Sequence, residues 1–189
     1  MTAFRYKRIS EVTGEVPLPP TVLGHIEKKT NDRARKESLA AYSLLYELAC
    51  DEGVPALLSR LGFSDVGKPY DMSGELYVSL SHSGGYVAAA VADSPIGVDI
   101  ERINDSVSAE RLSERYLAKE EAEAILSLPE ADRPEAFTRL FSEREAVAKR
   151  RDIPLAAALR FPREAIVESI VTRVFDGDGA GYIFTVALS

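Results

Sequence analysis

The chain has 189 residues, 46% of them apolar and 28% charged, with a net charge of −7. That length admits one domain or two small ones with a real core, and the acidic balance speaks against a generic nucleic-acid binder. The one cysteine, Cys50, excludes an internal disulfide and a cysteine-rich zinc site; with no secretory start and no apolar run of membrane-spanning length, a cytoplasmic protein is expected.

In chain order, Ala3–Arg8 is predicted as a strand and the Pro-rich stretch Glu15–Pro20 as irregular. A basic cluster follows, Lys28, Lys29, Arg33, Arg35 and Lys36, leading into a helix with Asn31 or Asp32 as its N-cap. Leu39, Tyr42, Leu45 and Tyr46 recur at helical spacing, and the pattern runs to about Cys50. Cations on a first helical turn oppose the helix dipole, so the cluster is either a solvated face or an anion site. Val54–Leu61 reads as a second, short helix, and Gly67-Lys68-Pro69 as a turn.

Leu76–Leu80, Tyr86–Ala92 and Ile96–Glu101 read as three strands joined by short turns, which predicts an antiparallel meander. The first connection, Ser81-His82-Ser83-Gly84-Gly85, offers hydroxyls, an imidazole and open backbone N–H groups, a composition suited to phosphate. In the third strand Asp99 and Glu101 are two residues apart, so they project to one face with Cα atoms ~6–7 Å apart. Two carboxylates at that spacing repel by roughly 2–3 kcal/mol at an effective dielectric of 20. Either both sit in water at the strand end, or a divalent cation with oxygen ligands joins them.

Beyond a loop at Asn104–Ser108, helices are predicted over Ala109–Tyr116, Lys119–Leu128 and Pro134–Arg151, the last with proline in its first turn. Glu145 lies four residues after Phe141 and four before Lys149, so the three share a face. It is either a surface partner of Lys149 or a carboxylate held by a stronger cation. Two strands, Ile166–Phe175 and Tyr182–Leu188, close the chain around an Asp176–Gly181 hairpin loop.

Four segments taken together resemble a known family. Gly67-Lys68-Pro69, Leu80-Ser81-His82-Ser83, Gly97-Val98-Asp99-Ile100-Glu101 and Phe141-Ser142-Glu143-Arg144-Glu145-Ala146-Val147-Ala148-Lys149 occur in that order. They are similar to the Gly-Lys-Pro, Leu-Ser-His-Ser, Gly-Val-Asp-Ile-Glu and Trp-x-x-Lys-Glu-Ala-x-x-Lys signatures of the 4'-phosphopantetheinyl transferase superfamily, of the Sfp-like type. The likeness covers roughly Asn31 to Lys149. Phe141 stands where the family has tryptophan, Arg144 where it has lysine, and Arg150–Leu155 lacks the glycines usual after the motif.

The resemblance implies an α+β fold of two similar halves related by a pseudo-twofold. Each half would have a small antiparallel sheet and a long helix, with the active site between them; residues 1–94 form the nucleotide side and 95–189 the metal side of one compact unit. It implies transfer of 4'-phosphopantetheine from coenzyme A to a serine of an apo acyl or peptidyl carrier protein, with release of 3',5'-ADP. Asp99, Glu101 and Glu145 would hold Mg2+, and Glu145 and Lys149 would be catalytic. Arg33, Arg35, Lys68, Ser81, His82 and Arg144 would bind coenzyme A, with an arginine of the basic cluster on its 3'-phosphate. No nucleic acid and no membrane is implied, and a monomer is expected. The alternative is a relative that binds coenzyme A or a carrier without transfer.

Overall fold

The computed structural model describes residues 1–12, 16–65, 67–105 and 108–189. The expected irregular stretch begins at Glu15 and the expected loop at Asn104–Ser108 includes 106–107; these three positions lie outside the described residues. The elements are β1 (Thr2–Arg8), α1 (Pro20–Glu27), α2 (Asp32–Asp51), β2 (Leu61–Phe63), β3 (Pro69–Asp71), β4 (Tyr77–Ser83), β5 (Tyr86–Ala92) and β6 (Gly97–Arg102). Then come α3 (Ala109–Tyr116), α4 (Lys119–Leu126), α5 (Arg133–Arg151), α6 (Leu155–Ala158), β7 (Ser169–Gly177) and β8 (Ala180–Leu188). Mixed helices and small antiparallel sheets agree with the expected α+β class. No helix among the described residues is long and apolar enough to cross a membrane.

One sheet has the order β1-β5-β4 and the other β6-β8-β7, with β2 and β3 forming a small ribbon. The central β5 is buried along its whole length. Val87, Ala89 and Val91 face a core built with Leu44, Leu45 and Leu48 of α2. Ala88, Ala90 and Ala92 face Val98, Ile100, Phe184 and Val186 of the second sheet. Strand alternation thus puts each set against a different layer, and the alanines let the layers approach closely. On the second sheet's other face, α5 packs Ala146 and Val147 against Ala187.

The meander is corrected by this topology. The β4–β5 hairpin forms, but β6 leaves it and pairs with β8. Both edges of β5 are already occupied, by β1 and β4, so no ladder position remains for β6 there. Serine side chains of β4 satisfy the free edge of β6 instead. Val98 N–H donates to Ser79 Oγ at 3.0 Å, and Arg102 N–H to Ser83 Oγ at 3.2 Å.

The connection at 81–85 is also shorter than expected. Ser81, His82 and Ser83 belong to β4, opposite Ala88, Val87 and Tyr86, and only Gly84-Gly85 turn. Both glycines have positive φ, 57° and 102°, as a two-residue hairpin requires. The final hairpin is equally tight, turning at Asp178-Gly179 with φ of 51° and 74°. Of the helices, α1 was not anticipated, Asn31 caps α2 by accepting from Ala34 N–H at 2.8 Å, and Pro55–Arg60 forms a 3-10 helix.

Candidate active site

The position of α5 over β6 depends on Gly97. A Cβ there would lie 1.9 Å from the Ala146 carbonyl oxygen and 2.7 Å from Arg150 N. Only glycine lets the helix backbone rest on this strand, and that contact lowers Glu145 onto the face carrying Asp99 and Glu101. One carboxylate oxygen from each of the three acids lies within 4.8 Å of the others. The two acids of β6 are therefore not solvated at a strand end; Asp99 is fully buried.

Asp99 Oδ1 accepts from Ser81 Oγ and from Lys149 Nζ, both at 2.8 Å, while Oδ2 has no partner among the described residues. Glu101 Oε2 accepts from Ser83 Oγ at 2.9 Å. Lys149 Nζ also lies 3.2 Å from Glu145 and 3.0 Å from Ser81 Oγ. Burial first, then the neighbouring Asp99 and Glu145 charges, push the Glu101 carboxyl up to about 8. Burial and Asp99 likewise raise Glu145, against the pull of Lys149. Burial works to discharge Lys149, but Asp99 and Glu145 outweigh it and hold the ammonium charged. Three acids share one resident cation, an arrangement that a further positive charge would relieve.

Glu101, Glu145 and Lys149 line a cavity of about 820 Å³, together with Lys68, His82, His25 and Lys29. Of the residues expected to bind substrate, Lys68 and His82 are therefore at this cavity. Lys68 Nζ bonds to the Lys149 carbonyl at 2.9 Å and to Asp152 Oδ1 at 2.7 Å, tying the Gly-Lys-Pro turn to the end of α5. Ser81 is buried at the wall, with its hydroxyl committed to Asp99 and Lys149.

Three expected residues are not brought in. Arg33 and Arg35 are exposed on the outer side of α2, paired with Glu37 and Asp32, and neither lines the cavity. Arg144 is fully buried, bonded to Glu121 and to the Phe161 carbonyl, and braces α5 against α4. One step along a helix rotates a side chain by about 100°, so a residue beside Glu145 faces elsewhere. Phe141 packs beside Phe137 at a centroid distance of 5.9 Å. Asp152, with φ 56° and ψ 47°, supplies the left-handed cap after α5 that a glycine would otherwise provide.

His25 is a cavity residue that motif reading missed. Its ring stacks on Phe63 at 4.0 Å, and burial followed by Lys29 and Lys28 lowers its pKa. A histidine on an unanticipated helix carries no pattern that would mark it.

Comparison with known proteins gives a relative matched over part of the chain and a family model. Over 74 residues, 39% of this chain, it is 43% identical to the 4'-phosphopantetheinyl transferase psf-1 of Bacillus pumilus. That stretch spans 30% of the relative's own length. Residues 95–176, which contain all three carboxylates and Lys149, match the family model of the 4'-phosphopantetheinyl transferase superfamily.

Proposed function

We propose that the protein transfers 4'-phosphopantetheine from coenzyme A to a serine hydroxyl of an apo acyl or peptidyl carrier protein, with Mg2+ and with release of 3',5'-ADP. The observation that carries this is the convergence of Asp99, Glu101 and Glu145 within 4.8 Å at a cavity that also holds Lys29, Lys68 and Lys149. The residues fit a magnesium ion: the donors are carboxylates only, and Asp99 Oδ2 is buried without a partner among the described residues. Asp99, Glu101 and Glu145 would hold the ion, which when bound supplies charge stabilisation at the pyrophosphate.

The remaining chemistry falls to the chain's own groups. Lys149, kept charged by Asp99 and Glu145, faces the cavity where phosphate oxygens would lie. Lys68 and Lys29 add positive charge along the same wall. Glu145 takes the serine proton, directly or through water, as the serine oxygen bonds to phosphorus. The pyrophosphate P–O bond breaks and 3',5'-ADP departs. Glu101 borders a second, apolar groove of about 190 Å³ with Leu112, Tyr116, Phe137 and Phe141, which supports an apolar surface for the carrier beside the metal site.

The proposed frame is two similar halves, 1–94 on the nucleotide side and 95–189 on the metal side, related by a pseudo-twofold with the site between them. In support, each half has a three-stranded antiparallel sheet backed by its longest helix, α2 or α5. A cytoplasmic monomer without nucleic-acid or membrane partners completes the reading, and the acidic net charge supports the absence of nucleic acid. The test is incubation with coenzyme A, Mg2+ and a panel of apo carrier proteins. Intact-mass analysis should show a gain of one phosphopantetheine on a carrier; coenzyme A binding with no gain on any carrier would overturn transfer.

A further inference from the structure

Beside His82, a residue of the cavity wall, sits an acid that no phosphate reading calls for. Glu37, in the second turn of α2, is only 12% exposed. Its Oε1 accepts from Arg33 Nε at 2.9 Å, and its Oε2 lies 3.4 Å from His82 Nδ1. His82 comes from β4, and the next residue of α2, Ser38, lines the cavity with it.

We propose that Glu37 is a positioning residue for recognition of a phosphomonoester dianion, holding the His82 imidazole so that Nε2 is left for the cavity. The inference rests on the coenzyme A reading above and takes that group to be the 3'-phosphate, which the resemblance set against an arginine of the basic cluster. A phosphate needs donors. A neutral imidazole whose Nδ1–H faces Glu37 offers only an acceptor at Nε2, whereas an imidazolium in the same orientation donates from both nitrogens.

The groups around His82 decide which form is present. Glu37 and Arg33 of α2, Lys29 just past α1 and Lys149 of α5 all act on it electrostatically. Burial lowers the imidazole, and Lys149, Lys29 and Arg33 add to that; Glu37 alone pulls toward the charged ring. The acid also neutralises Arg33, keeping that guanidinium on the outer side of the helix. The net effect still holds the ring below its usual range, so Glu37 is the group that favours the charged donor when a phosphate dianion approaches.

The test compares coenzyme A with dephospho-coenzyme A, which lacks only the 3'-phosphate, in wild type, Glu37→Gln, His82→Ala and the double variant. Glu37→Gln should raise the KM for coenzyme A roughly tenfold at pH 7.5, the loss of one charge-assisted hydrogen bond, with kcat within about twofold. It should leave dephospho-coenzyme A unaffected, and its penalty should shrink below pH 6. On a His82→Ala background it should add nothing. Equal losses with both donors, tighter coenzyme A binding, or effects that add to those of His82→Ala would each overturn the role. Wild type that favours coenzyme A while Glu37→Gln matches it would overturn the role of Glu37 alone. Wild type that binds neither donor would overturn the coenzyme A reading and this inference with it.

Discussion

Gly97→Ala is the smallest change that should separate the two halves of the carboxylate site. Its Cβ would meet the Ala146 carbonyl oxygen at 1.9 Å and the Ala146 carbonyl carbon at 2.9 Å. Ordinary contact begins near 3.4 Å, so α5 must retreat by about 1.5 Å from β6. The obstacle is backbone on both sides, and no rotamer change relieves it. Overpacking of buried sites costs about 1–3 kcal/mol, and this contact belongs at the upper end. For a chain of this size, about 3 kcal/mol corresponds to a melting temperature lower by roughly 6–12 °C. Glu145 and Lys149 ride on the retreating helix, and a 1 Å misplacement can cost on the order of a hundredfold in rate. Thermal unfolding by circular dichroism, with and without Mg2+, reads both effects. Gly24→Ala is the control: its Cβ meets nothing within 4 Å in α1, and it should be neutral or slightly stabilising. If Gly97→Ala melts within 2 °C of wild type and keeps its Mg2+-induced shift, close backbone approach is not what sets the site.

The other predictions concern charge. Glu101 is raised from 4.5 to about 8, so between those values the folded state keeps a proton that the unfolded chain has lost. Stability without metal should therefore fall as pH rises through that window, by on the order of 2–4 kcal/mol because the acids titrate together. Mg2+ favours the ionised acid, so its stabilising effect should grow from pH 6 to pH 8; a shift independent of pH would refute the assignment. Asp99→Asn and Glu145→Gln should each abolish the Mg2+-induced thermal shift and lower transfer at least about a hundredfold while the protein remains folded. Arg144→Ala should cost about 3–5 kcal/mol by stranding Glu121. It should leave the coenzyme A KM of the folded fraction unchanged; a raised KM would return Arg144 to the site.

Periodicity made the local structure legible in this chain. Alternation in Ile96–Glu101 put Asp99 and Glu101 on one face, and i,i+4 spacing put Glu145 beside Lys149; both hold. What the sequence left open was which partner each face would meet. The Asp93–Pro95 turn looks the same whether β6 returns to its neighbour or crosses to a second sheet, and the occupied edges of β5 decide that. Arg144 was carried by its place in a motif, although helix geometry already turns it away from Glu145. Glu37 and His25 lie outside any motif, and only tertiary packing brings His25 to the cavity wall and Glu37 to His82.

The lost meander and the carboxylate site are one feature. Paired edge to edge, β4 and β6 would run about 4.8 Å apart and satisfy each other through backbone groups, leaving their side chains to project above and below. Here Ser79 and Ser83 take the edge N–H groups of Val98 and Arg102. Ser81, between them, turns its hydroxyl to Asp99 and Lys149 instead. Ser83 donates to Glu101 while accepting from Arg102. Small hydroxyls thus replace a ladder, and two of them, Ser81 and Ser83, bond the two acids of β6. Replacing all three serines with alanine would leave those N–H groups and carboxylates without these partners at once, and Ser83, which serves both, joins the strand seam to the candidate metal site.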